Sequence, residues 1–193
     1  MDELPPIELK ELKSTIITSD IKQYSDYNTL LKYCLSLKKD SDDAVSQFKE
    51  VMSMLTDELA RVTGDPMLNM HKTDIVTFVN SNTKKIVDGF ILKCYNKNSG
   101  QMRSKILIGD DSFFMNNSLD EISDGDGDIV NIIFQFKKFW GKLSEDNKII
   151  IKSTLTALIA LCDIRFIAFN RYALVKDLNK MFATNFKDLD KVF

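Results

Sequence analysis

The chain has 193 residues, 44% hydrophobic and 28% charged, with a formal net charge of -2. That much apolar material, 13 Phe among it, excludes intrinsic disorder, and only 7 Gly and 3 Pro exclude a collagen-like or low-complexity chain. So few structural breaks favour long helices, and a single His removes most His-based metal sites and nearly every Ser-His or Cys-His device.

In chain order, Pro5 and Pro6 suit the first turn of a short helix with apolar positions Ile7, Leu9, Leu12 and Ile16. A second helix is expected from about Asp20 to Lys39, burying Ile21, Tyr24, Leu31, Cys34 and Leu35. Asp40 or Ser41 then reads as the N-cap of a third, in which Val45, Phe48, Met52, Leu55, Leu59 and Val62 recur at three- and four-residue intervals. Gly64 stands where a C-cap glycine belongs, and Pro66 prevents continuation. Two further helices fit Thr73–Val79 and Asn82–Tyr95, the second with a face of Ile86, Val87, Phe90, Ile91 and Cys94, although Gly89 lies inside it.

Residues 96–128 change character. NKNSG signals a loop and KILI (105–108) a short strand. Seven acids follow (Asp110, Asp111, Asp120, Glu121, Asp124, Asp126 and Asp128), with no basic residue between Lys105 and Asp128. Helix resumes with Ile129, Ile132, Ile133, Phe136 and Trp140 on one face and Gly141 at its end. Ser144 caps the next helix, with Glu145 and Asp146 in its positive first turn. Ile149 to Phe169 is apolar nearly all round, as in a helix buried on most sides. A last helix carries Leu174, Leu178, Met181 and Phe182, followed by Leu189, Val192 and Phe193.

These elements predict an all-α protein of seven or eight helices in an orthogonal or bundle-like array, with one short strand pair near 104–115. One domain overall is expected, organised as an acidic helical part (1–108), an acidic loop or hinge (109–128) and a basic, more apolar helical part (129–193). Residues 1–128 hold 22 acidic and 15 basic side chains against 6 and 11 in residues 129–193. The opening MDELPPIELK lacks the basic and then apolar regions of a secretion signal. The most apolar run, Leu155 to Ala168, is broken by Asp163 and Arg165 and falls short of the ~20 residues of a membrane span. Cys34, Cys94 and Cys162, odd in number and widely spaced, read as buried thiols of a reducing compartment.

No catalytic constellation emerges. Asp124, Asp126 and Asp128 match positions 1, 3 and 5 of a calcium loop, but Ile129 stands at the turn-glycine position and Gln135 at that of the bidentate glutamate. A flexible acidic turn is therefore expected there. His71 has no metal-ligand partner in the sequence and reads as a solvated or hydrogen-bonded histidine. The glycines (64, 89, 100, 109, 125, 127, 141) form no phosphate-binding loop, and GxSxG and HExxH are absent. The reading is of a non-enzyme with no catalytic, cofactor-binding or metal residues. Asp163 and Arg165 admit a buried polar site or a helix turning outward, with Asp163 meeting Arg165 or Lys148 at the surface. The outward turn is the expectation.

Segment 134–152 interleaves Phe134, Phe136, Phe139 and Trp140 with Lys137, Lys138, Lys142, Lys148 and Lys152. A basic–aromatic surface of this kind tracks single-stranded nucleic acid by stacking and charge. The helical spacing of the aromatics favours core instead, and 4 Arg against 22 Lys is poor in the planar fork that phosphate and base readers use.

The string FKKFWGKLSEDNKIIIKSTLTALIAL (136–161) resembles a pattern in uncharacterised helical proteins of nucleocytoplasmic large DNA viruses. In that pattern an aromatic-Trp pair, a Leu-Ser-Glu and an Asn-Lys lead into an apolar helix. Phe139 and Trp140, Leu143, Ser144 and Glu145, and Asn147 and Lys148 occupy those places. Where the pattern often continues with Trp and Tyr, this chain has Ser153 and Leu155. The resemblance implies a viral protein made in host cytoplasm or carried in virions, and brings no catalytic residue.

The functional expectation is a helical interaction or structural protein acting through protein–protein contacts, as a virion component or an assembly or host-interaction factor. The candidate contact residues are Lys137, Lys138, Trp140, Lys142, Lys148, Phe182 and Phe193. Protein partners, a second copy among them, are expected, with a nucleic-acid-associated factor using 134–152 as the alternative.

Overall fold

The computed structural model describes residues 27–95, 102–116, 138–181 and 191–193. Among them are five α-helices and no strand: α1 (Tyr27–Thr63), α2 (Pro66–Tyr95), α3 (Met102–Ile108), α4 (Asp111–Asn116) and α5 (Glu145–Met181). A 3-10 turn, Trp140–Lys142, precedes α5. The expected helix at 5–16, residues 129–137 of the one expected from Ile129 to Trp140, the start of the one at 20–39, the loop 96–100 and the DGDGD turn lie outside the described residues. So do Lys137, Phe182 and Leu189.

The all-α class is as expected; among the described residues the helices are longer than expected, and 104–115 is helical instead of a strand pair. α1 runs through Asp40 and Ser41, where a cap between two helices was expected. Its buried positions explain this: Cys34, Leu37, Ser41, Ala44, Phe48, Met52, Leu55 and Leu59 follow one another at three or four residues without a phase break. Ser41 occupies a core position, so its hydroxyl is not turned back on a helix end, and Lys38 pairs with Asp42 across the expected break. Leu35, expected in the core, is half exposed because it falls off that stripe.

At the end of α1, Gly64 takes the left-handed conformation (φ 61°) in which a Cβ is strained. Asp65 then caps α2, its Oδ1 accepting from the backbone N–H of Met67 (2.8 Å) and Leu68 (3.2 Å), with Pro66 in the first turn. With both signals adjacent, α2 starts at Pro66 rather than Thr73. It is kinked at Asn82 (φ −124°), where a boundary between two helices was expected. The predicted face of Ile86, Val87, Phe90, Ile91 and Cys94 is buried, and Phe90 meets Phe48 of α1 edge-on at 5.5 Å.

KILI is helical, not extended. Met102 and Ile106, four residues apart, are its buried positions, and Gly109 (φ 67°) closes the helix with its N–H on the Ile106 carbonyl at 3.0 Å. Gly141 lies inside the 3-10 turn rather than ending a helix. Ser144 caps α5 as expected, its Oγ accepting from the Asn147 N–H at 3.3 Å. α5 then continues where two helices were expected, since no Gly or Pro interrupts 145–181. Its burial is one-sided: Ile151, Leu155, Leu158, Ile159, Cys162 and Phe166 are buried, while Ile149, Ile150, Ile164 and Ile167 are exposed.

Two compact units divide the chain: Met1–Ala44 with Asp163–Phe193, and Val45–Cys162. They are drawn across the chain differently from the parts 1–108, 109–128 and 129–193. The core of the first includes Cys34, Leu37, Ala168, Tyr172, Val175 and Val192. That of the second includes Phe48, Met52, Ile75, Phe90, Phe114, Trp140 and Leu155. The three cysteines are buried, and none is in a disulfide.

Candidate interaction surface

The candidate residues of the basic–aromatic segment sit in the second unit, where α3, α4, the 3-10 turn and the first turns of α5 meet. Asp110 starts α4: its Oδ1 accepts from the Ser112 N–H (2.9 Å) and Oγ–H (2.6 Å). These bonds, led by the hydroxyl, hold the Asp110 carboxyl below the usual carboxylate range. The short helix turns Phe113 and Phe114 inward and Met115 outward. Phe114 stacks on Trp140 with ring centroids 4.3 Å apart and planes 23° from parallel, and Trp140 is fully buried. Trp140 is thus a core side chain, not the surface contact the sequence reading made of it. Lys138 and Lys142, on either side of it, are exposed.

Asp111 gathers two lysines of α5. It forms an ion pair with Lys152 and lies 3.9 Å from Lys148. Lys148 also donates to Glu145 Oε1 at 2.8 Å, and this bond, with the nearby carboxylates, raises the ammonium above the ordinary lysine value. The Lys152 ammonium stands 5.8 Å from the centre of the Trp140 ring, within cation–π reach. Its methylenes pass close to Gly109, where an added Cβ would meet Lys152 Cδ at 3.3 Å. Lys148 and Lys152 therefore serve to hold α5 to the start of α4.

The same elements also leave apolar side chains in solvent: Leu107 and Ile108 of α3, Met115 of α4, and Ile149 and Ile150 of α5. Ile108 is 75% exposed and Ile149 59%. The sequence reading missed these because it assigned Ile108 to a strand and Ile149 to a helix buried on most sides. Asp111 was read as one acid of a loop. The signal that finds it is its place in the first turn of a helix, with lysines spaced i and i+4 on α5 to receive it.

In the first unit, Phe193 stacks on Tyr172 (4.5 Å, 27°) and meets Phe169 edge-on at 6.2 Å. It is packed on that unit's core. The outward turn expected at Arg165 is corrected there too. Arg165 is 2% exposed, and its Nη1 donates to Ser41 Oγ at 2.8 Å, because its place on α5 falls between the core positions Cys162, Phe166 and Ala168.

Among the described residues no group of three or more His, Cys, Asp or Glu side chains is placed to hold a metal ion. None of their helices is long and apolar enough to cross a membrane. Comparison with protein-family models, with curated proteins and with solved structures finds no match.

Proposed function

We propose that this chain is a non-enzymatic helical protein that works through protein–protein contacts, and that the exposed Ile108, Met115 and Ile149 take part in them. The observation that supports this reading is the exposure of these large apolar side chains on elements that Asp111, Lys148 and Lys152 tie together. Large apolar side chains left in solvent are what a protein contact surface offers. By resemblance the setting is viral: a virion component, or an assembly or host-interaction factor in host cytoplasm.

The nucleic-acid alternative takes less support from the same geometry. Stacking needs an open aromatic face, whereas Phe139 and Trp140 are buried and Lys148 and Lys152 are engaged with carboxylates.

The test pairs sedimentation of the purified chain with affinity capture from the cells that produce it, using wild type and an Ile108→Glu/Ile149→Glu variant. Self-association or a captured protein that the variant loses supports the reading. A strictly monomeric chain with no captured protein, or capture indifferent to the variant, overturns it. Binding of single-stranded nucleic acid that weakens steeply with salt favours the alternative.

A further inference from the structure

Methionine is ordinarily a core residue, filling irregular gaps with a flexible thioether. Two of the methionines do the opposite on one face of α2. Met67 is 50% exposed and Met70 65%. With His71 and Asp74 they occupy positions i, i+3, i+4 and i+7 of the helix, an arc of about 100°. Leu68, Ile75 and Val79 face the core from another side of the same helix.

The histidine is set up in the way metal-ligating imidazoles are. Its Nδ1 lies 3.4 Å from Asp74 Oδ2. When the neutral ring donates from Nδ1 to that carboxylate, Nε2 carries the lone pair. Asp74 also places negative charge on this face. The nearest lysine in sequence, Lys72, projects about 100° of arc from His71 and is paired with Asp57 of α1 at 2.8 Å.

We infer that Met67, Met70 and His71 form a surface site for a soft monovalent cation, copper(I), with two thioether sulfurs and one imidazole nitrogen as ligands and Asp74 positioning the ring. Thioethers select copper(I) over the hard divalent ions, and imidazole suits it as well. The inference is independent of the contact surface around Ile108.

The experiment is an anaerobic titration of the full chain, labelled at the methionine ε-methyls, with copper(I) supplied as its acetonitrile complex and followed by NMR. The Met67 and Met70 methyls and the His71 ring are expected to shift together and saturate at one ion, with the exposed Met115 methyl unmoved. Met67→Leu/Met70→Leu, volume-conserving at exposed positions, is expected to abolish the His71 shift with the fold intact. Asp74→Asn is expected to weaken binding by about tenfold. Met67 and Met70 methyls that stay in place, or that move in parallel with Met115 as unspecific thioether binding requires, overturn the inference. So does a His71 shift that survives the double methionine variant.

Discussion

Arg165 donates from Nη1 to the hydroxyl of Ser41 at 2.8 Å, across 124 residues of sequence and with both side chains buried. A guanidinium inside a small helical unit carries a large desolvation cost and is tolerated only where acceptors meet it. The bond also fixes how α1 and α5 are placed along one another within the first unit, because a shift by one turn would leave a buried charge facing aliphatic side chains. Ser41→Ala is therefore expected to lower stability by about 1.5–3 kcal/mol, the range for a hydrogen bond to a charged group. A double-mutant cycle with Arg165→Met, read by urea unfolding, should show coupling between the two positions. Additivity of the two substitutions would mean that the contact contributes nothing.

Trp140, the one tryptophan, lies fully buried against Phe114. Its emission is expected to be blue-shifted and insensitive to iodide in the native chain, and Trp140→Ala to cost about 3–5 kcal/mol. Single-stranded nucleic acid should leave the emission unchanged. Strong quenching on its addition would show that the ring is open to stacking.

Burial pushes the Cys34 thiol up to about 11. At neutral pH the folded and unfolded chains both keep the proton, so Cys34 adds no pH dependence. Above about 8.5, where an ordinary thiol ionises, the unfolded chain loses its proton first. Stability must then fall as pH rises, until the folded thiol itself titrates. Urea midpoints measured between pH 8 and pH 10 should decline more steeply in wild type than in Cys34→Ala. Equal slopes would show that the thiol is not desolvated.

The turn between α1 and α2 separates backbone from side-chain effects. Nothing lies within 4 Å of a Cβ added at Gly64, so Gly64→Ala meets only the strain of φ 61°. The cost should be about 1–2 kcal/mol. Asp65→Ala, which removes the acceptor for the Met67 and Leu68 N–H groups, should cost about 1 kcal/mol. Thermal unfolding of the two variants checks both values, and a neutral Gly64→Ala would contradict the left-handed turn.

The elements legible in the sequence were those whose signals are local. Gly64, Pro66 and the Ser144 cap with Glu145 and Asp146 act within one turn of their own backbone, and the turn geometry obeys them. The face Ile86, Val87, Phe90, Ile91 and Cys94 was equally plain, because helical periodicity alone sorts inside from outside. The candidate contact residues were less legible. Lys138 and Lys142 stand exposed as a solvated basic face would, but the exposed Ile108 and Ile149 came from stretches read as strand and as central core.

Composition had already determined that this chain is helical: few Gly and Pro, apolar residues at three- and four-residue intervals, and no recurring punctuation to support many strands. Tertiary structure alone decided where a cap signal is ignored, which apolar residues stay in solvent and which charges go inside. Asp40 and Ser41 offered a helix start, yet Ser41 is needed at a core position where Arg165 binds it, so α1 continues. Ile149 and Ile164 are as apolar as Ile151 and Ile159, yet the first two are exposed and the others buried. Side-chain type sets how strongly a residue prefers burial, but only the packing of the other helices determines which sides of α5 are covered.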